Sequence, residues 1–189
     1  RGPKADYERQ LFAHNRAFEA GIDDIGIGVL FGLYDWRFEV LALISHAQYL
    51  DRKFGVGPHT ISVPRWQPAN TVSWGKAPYS VTEDELLKII AVLRMAVPYT
   101  GMIISTRESP ETRARTFEIG ISQTSAASRT SPGGYGMEGT LSQFSLSDHR
   151  TIDEVLESIL KQELLPSFCT ACYRLGRTGQ NFMNFAKPG

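Results

Sequence analysis

Cys169 and Cys172 are the residues of this sequence whose spacing most directly suggests chemistry. They form a C-x-x-C pair in the segment FCTACYR, and two thiolates at this spacing can hold one side of a metal ion or an iron–sulfur cluster. The chain has no other cysteine, so histidine, an external ligand or further sequence would have to complete such a site. An ordinary pair of reduced thiols is the alternative interpretation.

Among the histidines, His59 has the position that best suits a ligand. The sequence G-P-H places it at the amino-terminal entrance of a predicted strand, on the floor of the predicted barrel. His46 lies within a predicted helix, His14 on the apolar side of the first helix and His149 at a helix start, where packing or surface roles are usual. None of the four forms an H-E-x-x-H motif or a readable nucleophile–histidine pair, so hydrolase chemistry has little support.

Arginines and hydroxyl residues lie at or just after the carboxyl ends of the predicted strands. They are, in chain order, Arg65, Arg107, Ser125, Ser128 and Arg129. Active sites of parallel barrels lie at the carboxyl ends of the strands, and guanidinium groups pair bidentately with carboxylate or phosphate. We therefore expect an anion-binding site at these strand ends.

Two structural alternatives apply to the same segments. Arg107 and Glu108 could form an ion pair at the barrel rim without contacting a ligand. The segment from Ser128 to Gly134 could bind an anion through backbone N–H groups, or it could be a plain glycine-rich turn.

Alternating helix and strand patterns have to position these residues. Helices are predicted over 5–20, 36–54, 82–95, 109–120 and 151–162, and strands over 22–33, 59–65, 101–106 and 121–126. The first strand is expected to be buried on both faces because it is a continuous apolar run. The repeats predict an α/β fold, a partial TIM-type (βα) barrel with four of its eight units. A doubly wound open sheet is the alternative, without a G-x-G-x-x-G fingerprint to support a dinucleotide site.

Composition limits the possible partners. Twenty basic and twenty acidic residues are interspersed and cancel, so there is no electrostatic footprint for nucleic acid or an anionic membrane. No apolar run is long enough for a membrane span, and the amino terminus has no signal-peptide pattern. We expect a soluble, cytoplasmic protein with a small-molecule ligand. The abrupt start and end of the chain suggest a piece of a longer protein.

Five segments occur together in one known family. They are, in order, GIDDIGIGVLFGLYDWRFEVL, FGVGPHTISVPR, AVLRMAVPYTGMIISTRE, GISQTSAASRTSPGGY and PSFCTACYRLGRTGQNFM. They resemble the HydG family, the radical S-adenosylmethionine tyrosine lyases that help to mature [FeFe] hydrogenase. The sister ThiH family, the 2-iminoacetate synthases, shares the S-x-P-R and S-A-x-S-R-T patterns and is the nearest enzymatic alternative. The G-P-H sequence and the terminal C-x-x-C favour HydG.

The resemblance implies a carbon–carbon lyase with two [4Fe–4S] clusters. One cluster would cleave S-adenosylmethionine, and tyrosine would then be split into p-cresol and dehydroglycine, the source of carbon monoxide and cyanide. The second cluster, with an additional iron, would collect both ligands, and other hydrogenase maturation proteins would be partners. Residues 1–147 would be the last four βα units of the barrel, and residues 148–189 its last helix and the start of a cluster-binding extension.

The same resemblance assigns roles to individual residues. Cys169 and Cys172 would be two ligands of the second cluster, and His59 would bind the additional iron, with His46 as the other candidate. The substrate-binding group would be Arg107, Ser125, Ser128 and Arg129, and the region that approaches S-adenosylmethionine would be Gly26, Gly28 and Arg65. The residue that orients the tyrosine ring is open among Phe31, Tyr34, Trp66 and Trp74.

The sequence also departs from the family. It lacks the C-x-x-x-C-x-x-C loop of the radical-generating cluster and the first four βα units, so we expect the isolated chain to be inactive. One competing interpretation is a non-catalytic metal-binding module. Another is a half barrel that closes with a second copy into a homodimer through its exposed sheet edges.

Overall fold

Four parallel strands form the sheet of the protein. The computed structural model describes residues 2, 5–22, 24–68, 76–130 and 145–168. The strands are β1 (Gly26–Gly28), β2 (Thr60–Ser62), β3 (Gly101–Ile104) and β4 (Gln123–Thr124), and they pair in that order. Sequential order without a reversal is that of consecutive barrel units, whereas a doubly wound sheet reverses its strand order. The predicted α/β fold, a partial barrel, is confirmed.

Helices lie between and around the strands. They are α1 (Tyr7–Leu11), α2 (Ala13–Glu19), α3 (Trp36–Phe54), α4 (Glu83–Ala96), α5 (Pro110–Ile119) and α6 (Ile152–Leu160). The predicted helix over 5–20 is wrong in one respect, because the backbone at Phe12 leaves helical geometry and divides it in two. None of the described helices is long and apolar enough to cross a membrane.

The prediction that the first strand is buried on both faces is wrong. In β1, Ile27 is buried, but Gly26 and Gly28 on the other face are exposed. The reason is that helices cover one face of the described sheet, where Ile27, Ile61 and Met102 join the core. The opposite face would be the interior of a closed barrel, and it carries small or polar residues at the ends of the strands.

The pairing register brings small residues side by side on this inner face. Gly26 is paired with Thr60 and Gly28 with Ser62. Within the described sheet, β1 and β4 each have a single neighbour. The homodimer expected from such edges stays a prediction, as does the division into residues 1–147 and 148–189.

Candidate functional site

A cavity of about 300 Å³ lies at the carboxyl ends of β2, β3 and β4. Its lining, within the described residues, is Ser62, Pro64, Ile103, Ser105, Thr106, Arg107, Ser125, Ser128, Arg129, Thr130 and Leu146. The lining therefore includes two arginines, six residues with hydroxyl groups and three apolar residues. Such a lining suits a small molecule with an anionic group and an apolar body.

All four predicted substrate residues line this cavity. Arg107 comes from the turn after β3, and Ser125, Ser128 and Arg129 come from the segment after β4. Their convergence agrees with the expectation that parallel strands present ligand-binding residues at one edge. Direct contact with a substrate stays a prediction for each of the four.

Burial sets the electrostatics of Arg107. Loss of contact with water lowers the pKa of its guanidinium, and the charge of Glu108 opposes this effect. A depressed pKa of this origin means that the surroundings penalise the positive charge. An anion that entered the cavity would offset this penalty.

Glu108 belongs to a separate ion pair with Arg65. Both carboxylate oxygens of Glu108 accept hydrogen bonds from Arg65, with Nε at 2.9 Å from Oε1 and Nη2 on Oε2. Arg65 Nη1 donates to the Val81 carbonyl at 3.0 Å. Hydrogen bonds to Glu108 raise the pKa of Arg65, and burial opposes them. One alternative drawn from the sequence was an ion pair between Arg107 and Glu108. In the structure, Glu108 is paired with Arg65.

A second buried ion pair was missed by sequence reasoning. Arg113 and Asp148 are each 1% exposed and are paired through Nη1 and Oδ2. Asp148 also accepts from the backbone N–H of Arg150 at 3.0 Å and from its Nη2 at 2.7 Å. Burial raises the pKa of Asp148, but the hydrogen bonds from Arg150 and the charges of Arg113 and Arg150 outweigh it and lower the value to about 2.

The sequence of α5 contains a signal for this network. Its segment PETRARTFEI has few apolar residues, yet the helix packs against α4 and buries Thr112, Arg113 and Thr116. A buried face that is polar requires internal partners. The signal predicts a buried arginine with a carboxylate partner, but it does not identify that partner.

One candidate iron ligand, His59, lies at the opposite end of the sheet from the cavity, and the other, His46, lies in the middle of α3. His59 directly precedes β2. Its backbone N–H donates to the Ile25 carbonyl at 2.8 Å, and its backbone carbonyl accepts from the Gly101 N–H at 2.8 Å. His46 on α3 packs edge-on against His14, with ring centroids 5.3 Å apart. Burial and the neighbouring His14 lower the pKa of His46. His59 is thus at the floor of the partial barrel, as predicted.

The predicted cluster ligands Cys169 and Cys172 lie outside the described residues. Among the residues that the structure does describe, no group of three or more His, Cys, Asp or Glu side chains is placed to hold a metal ion. The described residues therefore do not by themselves form a cluster or iron site. The roles of both cysteines and of His59 stay predictions.

Gly26 and Gly28 are explained by packing between strands. A Cβ at Gly26 would lie 2.5 Å from Thr60 Oγ1, and one at Gly28 would lie 2.8 Å from the Ser62 carbonyl oxygen. Gly28 is therefore required by the close approach of β1 to β2, whereas a side chain at position 26 would require the Thr60 hydroxyl to rotate away. Neither explanation refers to a cofactor. Their contact with S-adenosylmethionine, and that of Arg65, stays a prediction.

The candidate aromatic residues do not contribute to the described wall of the cavity. Phe31 is fully buried in the core, and the exposed ring of Tyr34 packs against Phe38 and Tyr79. Trp66 is absent from the lining, and Trp74 lies outside the described residues. Apolar contact inside the cavity comes instead from Pro64, Ile103 and Leu146, which the sequence did not single out.

Comparisons with known proteins agree with this geometry. Residues 62–165 match the Biotin and Thiamin Synthesis associated domain. The 2-iminoacetate synthases of Escherichia coli (strain K12) and Salmonella typhimurium are 34% and 33% identical over 183 residues, which is 95% of this chain and 48% of each relative. The chain thus spans about half the length of these curated relatives.

Two solved structures resemble this chain over all or nearly all of its length. A crystal structure of HydG, a maturase of the [FeFe]-hydrogenase, superimposes with a TM-score of 0.90 at 56% identity, over 100% of this chain and 41% of that one. The FeFe-hydrogenase maturase HydG from Carboxydothermus hydrogenoformans gives a TM-score of 0.83 at 51% identity, over 97% and 41%. The resemblance to HydG is confirmed, and the chain belongs to the Biotin and Thiamin Synthesis associated domain family.

Proposed function

We propose that this chain is the carboxyl-terminal half of a radical S-adenosylmethionine tyrosine lyase of the HydG type. The observation that carries the proposal is the cavity, where Arg107, Ser125, Ser128 and Arg129 meet in a chain that is 56% identical to a HydG structure. When bound, S-adenosylmethionine and a [4Fe–4S] cluster supply the radical chemistry that splits tyrosine into p-cresol and dehydroglycine. Dehydroglycine is the source of carbon monoxide and cyanide for hydrogenase maturation partners.

The residues of this chain bind and orient the tyrosine. The guanidinium groups of Arg107 and Arg129 pair with its carboxylate, and the hydroxyls of Ser125 and Ser128 complete the polar contacts. The apolar wall, Pro64, Ile103 and Leu146, packs against the side chain of the substrate. Orientation by such contacts places the Cα–Cβ bond where the chemistry takes place.

The floor and the carboxyl-terminal segment would serve the second cluster. Cys169 and Cys172 supply thiolates, and His59 supplies an imidazole for the additional iron, with His46 as the alternative. Gly26, Gly28 and Arg65 would approach S-adenosylmethionine, as the resemblance to the family implies. A thiol pair of this kind suits the reducing cytoplasm. Without the C-x-x-x-C-x-x-C loop, the 189-residue chain alone does not start the reaction.

The test is a chimera in which this chain replaces the matching part of the HydG that is 56% identical to it. With reconstituted clusters and S-adenosylmethionine, we expect p-cresol from tyrosine. Arg107→Met should raise the KM for tyrosine about 10- to 100-fold, because a charge-assisted contact is lost. The control is Arg115→Met, an arginine 51% exposed on α5. A chimera that cleaves S-adenosylmethionine but forms no p-cresol would contradict the proposal.

A second candidate function is 2-iminoacetate synthesis, favoured by 34% identity over 183 residues to the enzyme of Escherichia coli. Both activities release p-cresol, so the second product separates them. Carbon monoxide and cyanide from the chimera support the HydG type. Release of dehydroglycine without carbon monoxide or cyanide supports the synthase.

A further inference from the structure

Two described segments, 125–130 after β4 and 145–148 before α6, form much of the cavity wall. We call them the two loop ends, the departing and the returning one, and together they contribute five of the eleven described lining residues. These five are Ser125, Ser128, Arg129, Thr130 and Leu146. Three of the four predicted substrate residues are among them, so the position of the loop ends decides where the donors point.

Both loop ends are attached to one guanidinium. Arg113 Nη2 donates to Thr124 Oγ1 and to the Ser125 carbonyl at the departing end. Arg113 Nη1 donates to Asp148 at the returning end. The returning end is also attached just after β3, because the backbone N–H groups of Ser147 and Asp148 donate to the Thr106 carbonyl at 3.0 and 3.1 Å.

We propose that Arg113 is a positioning residue for the substrate cavity. The planar guanidinium of Arg113 donates to both loop ends at once and so fixes the distance between them. This distance in turn sets the placement of Ser125, Ser128 and Arg129. Arg113 itself does not line the cavity. The inference rests on the proposed function, since the ligand that these donors orient is taken to be tyrosine.

The chain offers a matched control in Arg94. Its guanidinium also joins two backbone segments, with Nε and Nη2 at 3.0 and 2.7 Å from the Gly120 carbonyl and Nη1 at 2.8 Å from that of Thr100. These carbonyls precede β4 and β3, at the end of the sheet away from the cavity. Arg94→Lys therefore removes a similar fork without touching the loop ends.

Hydrogen exchange followed by mass spectrometry on the full 189-residue chain tests the positioning role directly. Arg113→Lys keeps the positive charge near Asp148 but cannot reach all three acceptors, so peptides over 124–130 and 145–150 should exchange roughly tenfold faster or more. Peptides over β1 and β2 should not change. Arg94→Lys should accelerate exchange only near Thr100 and Gly120. Equal protection of the loop ends in Arg113→Lys and the unaltered chain would overturn the proposal.

A second variant separates loss of the attachment from loss of folding. Arg113→Met combined with Asp148→Leu removes both buried charges while keeping the volume, a replacement that proteins often tolerate. We expect a folded chain whose loop ends still exchange faster. If this variant protects the loop ends as well as the unaltered chain does, the guanidinium does not position them.

Calorimetric titration with L-tyrosine measures the consequence for binding. Arg113→Lys should weaken tyrosine binding by roughly tenfold or more, and Arg94→Lys should leave it unchanged. A tyrosine affinity that is equal in Arg113→Lys and the unaltered chain contradicts the positioning role. If the unaltered chain binds no tyrosine, the proposed function loses its support, and the exchange comparison still decides whether Arg113 holds the loop ends.

Discussion

Asp148→Asn should make the protein less stable at neutral pH and less sensitive to acid. The carboxylate is 1% exposed and lies between two guanidinium groups, which lower its pKa from 3.8 to about 2. At about 1.4 kcal/mol for each tenfold change in proton affinity, this drop corresponds to about 2.5 kcal/mol of stability. Removal of the charge also leaves Arg113 buried without its counterion, which brings the expected loss at pH 7 to about 3 kcal/mol or more.

The pH dependence has a defined sign. Because the folded pKa lies below the unfolded one, the stabilisation is complete above about pH 5 and is lost as the pH falls toward 2. By pH 3, about 1 kcal/mol of the contribution of Asp148 to the free energy of unfolding is lost. Asp148→Asn should not show this part of the decrease, whereas Asp84→Asn, whose side chain is 93% exposed, should follow the unaltered chain.

The assay is urea unfolding followed by circular dichroism at several pH values between 7 and 3. The free energy of unfolding should fall less steeply with acid in Asp148→Asn than in the unaltered chain and the Asp84→Asn control. If the two curves run parallel over this range, the buried pair does not depress the pKa of Asp148 in solution. The reasoning from the structure would then be refuted.

Two further substitutions test the local structure, each by thermal and urea unfolding. Thr82→Ala removes the capping box at the start of α4 and should cost about 1 kcal/mol, whereas Lys88→Ala on the exposed side of the same helix should cost less than half of that. Gly28→Ala should cost about 1–3 kcal/mol because the new Cβ would lie 2.8 Å from the Ser62 carbonyl oxygen; unchanged stability would show that β1 can move away from β2.

The long helices could be predicted from sequence because their ends carry local signals. Gly55 ends α3 in the left-handed region, at φ 73°, as a glycine after a helix usually does. Thr82 opens α4 with a complete capping box, which the T-E-D-E sequence predicts. Such signals act over three or four residues, so they can be recognised without knowledge of the fold.

The convergence of Arg107, Ser125, Ser128 and Arg129 on one cavity was predictable for a different reason. Parallel strands place their carboxyl ends at one edge, so Arg107 and Ser125 meet once the order of the strands is known. The ion pairs of the site could not be predicted in the same way. Arg113 and Asp148 are 35 residues apart, and Arg65 and Glu108 are 43 apart. Their pairing depends on the assembled sheet, and no local pattern records it.

The two buried ion pairs also determine what the cavity attracts. Glu108 and Asp148 are the buried carboxylates of the described residues, and each has its own guanidinium partner, Arg65 and Arg113. Each negative charge is therefore already paired with a guanidinium beside a cavity whose wall carries Arg107 and Arg129. If either carboxylate faced the cavity unpaired, it would repel an anionic ligand and attract an amine instead. The ion pairs thus favour a carboxylate as the group that enters, and the depressed pKa of Arg107 shows that its surroundings penalise a positive charge that such an anion would stabilise.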